Sequence, residues 1–188
     1  MKVLDLFCGM GGWSIPFIED GDEVWGIDIK DYGYPGKLIQ EDITKLDGYG
    51  FSDADLVIGS PPCTYYSIGY QFQVNKGFTR QIETANNLVA AFERFVDEAK
   101  PTYWLMENVD QMPRYYGPQV LNSLPIWKFK ISAGGRRLLW GNVPLGLAND
   151  NRFWTKLYIR YGWKMRQQGA MIPYPIARFV ADSVKAHC

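Results

Sequence analysis

The chain has 188 residues, 47% apolar and 21% charged, a profile that predicts one soluble globular domain and, with no run of about 18 apolar residues, excludes a membrane span. Three scattered cysteines (Cys8, Cys63, Cys188) and a single histidine, His187, argue against a disulfide framework and a metal centre and predict a reducing, cytoplasmic setting, the first residues entering a strand with no leader before them. The net charge of zero hides a gradient, 9 Lys and Arg against 18 Asp and Glu over residues 1–127 and 11 against 2 over residues 128–188, which points to a polyanionic partner on one face or to a solvated basic surface.

In chain order, Lys2 to Phe7 predicts a strand, Cys8 to Gly12 a glycine-rich turn, and Trp13 to Glu19 a short helix that tolerates the early Pro16. Glycines in a first strand-to-helix turn let a ligand approach the backbone, and a helix N-terminus favours an anionic group. The dinucleotide pattern G-x-G-x-x-G is absent, because Ser14 takes the third glycine's place. Glu23 to Asp28 predicts a second strand, and Asp28 at its end can accept hydrogen bonds from a ribose. Asp42 follows a third apolar piece, Leu38-Ile39. Either acid also reads as a turn residue or a helix cap, but both fall on the glycine side, which favours a nucleoside ligand.

Asp55 to Ile58 predicts a buried fourth strand, and Gly59-Ser60-Pro61-Pro62-Cys63 then presents a cysteine at a strand's carboxyl end, where open α/β sheets keep their chemistry. Taken alone, Cys63 reads first as a small buried hydrophobe, the common fate of a lone cysteine. Tyr65 to Thr79 is long enough to close over a site. Ile82, Ala85, Val89, Phe92 and Val96 recur at helical spacing, predicting a helix from Arg80 to Lys100 that Pro101 ends. Thr102 to Met106 predicts a fifth strand delivering Glu107-Asn108-Val109 to the edge that holds Cys63. Strand and helix alternate, which predicts a mostly parallel sheet with helices on both faces. Trp127 to Ser132 and Arg137 to Gly141 suggest two further strands. Residues 152–166 carry five cations and no acid among Phe153, Trp154, Tyr158, Tyr161 and Trp163, a mixture that suits stacked bases and phosphates or a half-buried amphipathic element. Alternation would make it a strand; Arg152, Lys156, Arg160 and Lys164 at every fourth position would make it a basic helical stripe. Ala177 to Val184 predicts a last helix.

These residues resemble the DNA cytosine-5 methyltransferases. Asp5-Leu6-Phe7-Cys8-Gly9-Met10-Gly11-Gly12 is similar to that family's first motif, Gly59-Ser60-Pro61-Pro62-Cys63 with Ser67 to its Pro-Cys motif, and Glu107-Asn108-Val109 to its Glu-Asn-Val motif. The resemblance is strong to about Val109 and looser beyond, where Arg136-Arg137 and Gly169-Ala170-Met171-Ile172-Pro173 are similar to its arginine and last motifs. It implies a Rossmann-like fold dependent on S-adenosylmethionine, encoded by a bacterium, an archaeon or a phage, in a restriction or other role. It further implies catalytic Cys63, Glu107 and Arg137. Phe7, Gly9, Gly11, Gly12, Asp28, Ile29, Asp42 and Pro62 would then hold the cofactor, and Ser67, Arg136, Arg152, Lys156, Arg160 and Lys164 would meet DNA, or else single-stranded DNA or RNA.

Three positions depart from the family pattern: Thr64 stands where glutamine is usual, Gly135 replaces an arginine, and Ala170 replaces an asparagine. The stretch between the arginine and last motifs is too short for an independent recognition domain. One catalytic domain over 1–188, with 141–168 as a residual substrate-facing insert, is therefore expected, and a protein partner could supply target recognition. Ser60-Pro61-Pro62 also resembles the amino-group methyltransferases, but Cys63 then stands where that group stacks an aromatic. A catalytically degenerate relative that only binds cofactor or nucleic acid is the remaining reading.

Overall fold

The computed structural model describes residues 1–67, 74–77, 81–123, 127–131, 135–145 and 172–188, with only the backbone of 127–131 and 135. In chain order the elements are β1 (Lys2–Leu6), α1 (Ile15–Glu19), β2 (Glu23–Asp28), β3 (Lys37–Gln40), β4 (Leu56–Gly59), α2 (Ile82–Ala99), β5 (Tyr103–Val109), β6 (Trp127–Ile131), β7 (Gly135–Gly141) and α3 (Tyr174–Lys185). Among the described residues they form one seven-stranded sheet in the order β3-β2-β1-β4-β5-β7-β6. The first five strands run parallel, and β7 and β6 close the far side as an antiparallel pair.

Successive side chains of a strand point to opposite faces, and the core divides accordingly. Leu4, Leu6, Val57 and Met106 join Val89, Phe92 and Phe95 of α2 on one face. Val3, Leu56, Ile58 and Leu105 join Phe17 of α1 and Ile176, Val180 and Val184 of α3 on the other. Strands buried on both faces read as unbroken apolar runs, as Leu56-Val57-Ile58 does. The expected sheet with helices on both faces is thus present, and no helix among the described residues is long and apolar enough to cross a membrane.

Strand order reverses between β1 and β4, so the loops leaving these two strands open a crevice at their carboxyl ends. Several boundaries differ from expectation. Trp13 and Ser14 belong to a turn in which the Ser14 amide donates to the Gly11 carbonyl, and α1 starts only at Ile15. β5 runs three residues further, through Glu107-Asn108-Val109, because antiparallel pairing with β7 continues its ladder beyond the end of β4. α3 begins at Tyr174 and takes Pro175 into its first turn, where the missing amide proton costs nothing.

Candidate active site

The crevice holds a cavity of about 590 Å³, lined from the glycine turn at one end to Cys63, Glu107 and Arg137 at the other. Its wall at the glycine-turn end comes from a sharp reversal after β1. Phe7 adopts a left-handed conformation (φ 57°), uncommon for a residue with a side chain, and Gly9 follows at φ 50°, with open space where a Cβ would stand. Gly11 serves packing instead: a Cβ there would meet the Pro35 ring at 2.7 Å, and the residue does not line the cavity. At Gly12 a Cβ would strike the backbone nitrogen of Ile172 at 2.8 Å, so this glycine lets the segment before α3 close the cavity.

Asp28 at the end of β2 accepts a 2.9 Å hydrogen bond from the Gly9 amide. A carboxylate has about four acceptor sites, so it ties the turn to β2 and keeps capacity towards the cavity. Asp42 accepts from both the amide and the hydroxyl of Thr44, at 3.0 and 2.8 Å, and these bonds hold its carboxyl below the ordinary carboxylate range. It is a turn residue and a cavity residue at once. Ile29, Met10 and Tyr32 are 65%, 47% and 50% exposed at the cavity mouth. Large apolar side chains left uncovered at the mouth of a cleft are what a flat, partly apolar ligand would cover.

The opposite end is built by strand register. Met106 pairs with Gly59, so Glu107 and Asn108 continue beside Ser60 and Pro61. The Asn108 side chain, fully buried, donates to the Pro61 carbonyl at 3.0 Å and fixes the loop that carries Cys63. Beyond Cys63 a 3-10 turn, Thr64–Tyr66, anchors the chain through the Tyr66 hydroxyl, which donates to Asn86 of α2 at 2.7 Å. On the other neighbour, Arg137 of β7 pairs with Val109 and Leu139 with Glu107, so Arg137 lies diagonal to Glu107 on one face. Its Nη1 donates to Cys63 Sγ at 3.1 Å and approaches Glu107 Oε1 to 3.2 Å. The second contact is an ion pair without hydrogen-bond alignment, since Oε1 has no hydrogen-bond donor. Burial pushes the Glu107 carboxyl above the ordinary range, against the opposing pull of Arg137 and Ser60. The structure thus places a thiol, a cation and a buried carboxyl within one reach.

Cys8, also near the glycine turn, is buried, and burial together with Asp5 and Asp28 drives its thiol pKa upward, away from thiolate chemistry. Ser67 and Arg136 do not line the cavity. The Ser67 hydroxyl donates to the Thr64 carbonyl at 2.9 Å, and Arg136 is an exposed residue on β7. Arg152, Lys156, Arg160 and Lys164, and the last-motif residues 169–171, lie outside the described residues. Met10, Ser60 and Ile172 line the cavity from within the motifs, and Trp13 and Tyr32 line it from outside them. The tryptophan directly after Gly12 was the available signal.

Beneath the glycine turn lies Asp5, 1% exposed, with Oδ2 accepting from Ser14 at 2.6 Å and Oδ1 unpartnered. Burial pushes its carboxyl from 3.8 up to about 7. The folded state therefore keeps a proton that the unfolded chain releases. The stability this contributes is complete below 3.8 and lost as pH rises to about 7, a loss on the order of 4 kcal/mol. Asp5→Asn cannot titrate. Urea unfolding from about pH 4 to about pH 8 should show the stability difference moving in the variant's favour as pH rises; a difference independent of pH would assign the network no proton linkage.

Residues 1–124 match the family described as C-5 cytosine-specific DNA methylase. The type II methyltransferase M.DdeI of Desulfomicrobium norvegicum is 34% identical over 122 residues, an alignment spanning 58% of this chain and 28% of that protein. M.FnuDI of Fusobacterium nucleatum is 28% identical over 200 residues, spanning 98% of this chain and 55% of its own. The chain thus spans little more than half the length of these curated relatives at most. Two solved structures share the fold: a DNA modification methyltransferase encoded within an E. coli prophage and the Dnmt2 methyltransferase of S. pombe. They are 23% and 18% identical, each with a TM-score of 0.53 over 75% of this chain, and the match covers 46% and 48% of theirs. With the family matched over about two thirds of its length, this chain belongs to the C-5 cytosine-specific DNA methylases.

Proposed function

We propose that the protein transfers a methyl group from S-adenosylmethionine to carbon 5 of cytosine in DNA, with Cys63 as a covalent nucleophile. The observation that carries this reading is the convergence of Cys63, Arg137 and Glu107 at one end of a cavity whose other end is the open glycine turn. A cavity with Gly9 open towards it, an acid at the end of β2 and an apolar mouth fits a nucleoside sulfonium cofactor. Phe7, Gly9, Gly12, Asp28, Ile29, Asp42 and Pro62 would hold it, and when bound it supplies an electrophilic methyl carbon.

The chain's own residues do the rest. Cys63 sulfur bonds to carbon 6 of the ring, the 5,6 double bond opens, and its electron pair moves to carbon 5, which is otherwise a poor nucleophile. Arg137 sets a positive charge against the sulfur, and the thiolate is the nucleophilic form. Glu107, disposed by burial to keep its proton, hydrogen-bonds the ring nitrogen where negative charge develops. After methylation, loss of the carbon 5 proton to solvent and departure of the sulfur restore the aromatic ring and the free cysteine. A base in duplex DNA reaches this depth only if flipped out, at a cost of a few kcal/mol. Residues 142–171 are all that separate β7 from the segment before α3, too few for an independent recognition domain, so target choice falls to a partner or stays broad.

The test is trapping. With fluorine in place of the carbon 5 proton the adduct cannot eliminate, so 5-fluorocytosine DNA and labelled S-adenosylmethionine should leave a covalent, methylated protein–DNA species on a denaturing gel. Labelling of RNA alone would move the substrate from DNA to RNA, and no adduct on either, with cofactor binding demonstrated, would leave the protein a binding relative.

A further inference from the structure

Two cavity residues that the chemistry above leaves unused connect the glycine turn to the buried acid. Trp13 is 3% exposed, and its indole Nε1–H donates to the Ser60 hydroxyl oxygen at 2.9 Å. An indole nitrogen only donates, so the Ser60 oxygen has to accept there and keeps its single proton for another group. The Glu107 carboxyl lies beside Ser60 in the same cavity. Register agrees, since Gly59 pairs with Met106 and the next residue on each strand is Ser60 and Glu107. We propose that Ser60, oriented by Trp13, is a positioning residue that holds the Glu107 carboxyl for its task and ties the cofactor-side turn to the acid.

The inference rests on the reading of Glu107 as the group that hydrogen-bonds the cytosine ring. Its physical content is separable from that reading. A donor aimed at a buried carboxylate stabilises the ionised form and so opposes the effect of burial; Trp13 keeps that donor from turning away. Without Trp13 the serine can rotate and still reach Glu107 part of the time. Without Ser60 the donor is gone, and Trp13 has nothing to aim.

The experiment titrates Glu107 directly, by carbon NMR of protein labelled at the glutamate carboxyls, the Glu107 signal being assigned by its loss in Glu107→Gln. Ser60→Ala should raise the Glu107 midpoint by about one pH unit, the size expected when a hydrogen bond to a charged acceptor is lost. Trp13→Phe, which removes only the indole N–H and a little volume, should move it the same way by less. The double variant should match Ser60→Ala alone, because both act through one hydrogen bond. An unmoved midpoint in Ser60→Ala overturns the proposal, as does a Trp13→Phe effect that persists undiminished on the Ser60→Ala background. In methyl transfer, the alkaline limb of the pH profile should rise with the midpoint. Transfer by the wild type with no change of midpoint in the variants sinks the positioning role alone. A shifted midpoint in a protein that transfers no methyl group keeps the positioning role and sinks the carbon-5 reading.

Discussion

Cys63→Ser eliminates the covalent adduct with 5-fluorocytosine DNA and lowers methyl transfer by about four orders of magnitude or more, the scale of loss when a covalent nucleophile is removed. Serine keeps nearly the same volume and can still accept the Arg137 hydrogen bond now made to sulfur at 3.1 Å, so the fold and the cavity survive. What is lost is the sulfur nucleophile, which a serine hydroxyl, far weaker as a nucleophile, does not replace. Cys8→Ser is the matched control. That cysteine lies in the same crevice but is buried beside Asp5 and Asp28, which hold its thiol in the neutral form, and its replacement should leave the adduct intact. Cofactor binding, measured by calorimetry, should be unaffected in both variants. Retention of the adduct in Cys63→Ser would refute the assignment, and its loss in Cys8→Ser would move the nucleophile to the glycine turn.

The parts of this site that could be read from sequence are those where the local signal and the tertiary result coincide. Leu56-Val57-Ile58 announces a doubly buried strand, and the prolines after it announce that the strand must stop, so Cys63 at a sheet edge follows from the chain alone. Glu107 was legible as a nearby acid, but not its inclusion in β5. That depends on β7, whose pairing with Glu107-Asn108-Val109 no local pattern of β5 encodes. Gly11 and Gly12 illustrate a different limit. Both have the look of ligand-contact glycines, yet Gly11 makes room for Pro35, and Gly12, which does line the cavity, also makes room for the backbone of Ile172, partners distant in sequence. The link between Trp13 and Ser60 is illegible for the same reason, the two being separated by 47 positions and joined by one hydrogen bond. Asp5 reads as an ordinary strand residue until its burial and its unpartnered oxygen are seen.

Arg137→Met should lower the rate of adduct formation by two to three orders of magnitude, on the scale of removing one preorganised electrostatic contact from an active site, and Arg137→Lys should recover only part of it. The guanidinium spans two groups at once, 3.1 Å from Cys63 Sγ and 3.2 Å from Glu107 Oε1. One nitrogen, Nη1, makes both contacts. A lysine ammonium is more strongly hydrated, so it costs more to hold in this buried place, and its different stem does not set a nitrogen at the same point. Methionine fills the volume but leaves the sulfur without its cation and Glu107 buried without a counter-charge, which costs about 3 kcal/mol or more while the carboxyl is ionised. The carboxyl escapes that cost by taking up a proton. Since Arg137 is one of the groups pulling the Glu107 carboxyl down, its removal raises that carboxyl further above the ordinary range. Stability and catalysis then part company with pH. Arg137→Met should be nearly as stable as the wild type in mild acid, where Glu107 is neutral, and increasingly destabilised as pH rises through the raised Glu107 midpoint. Its rate defect should persist in acid, because protonating Glu107 does nothing for the sulfur. Thermal unfolding and single-turnover trapping on the same samples separate the two effects. A defect that disappears in acid would make Arg137 only a counter-ion to Glu107, whereas a defect present at every pH ties the arginine to the cysteine itself.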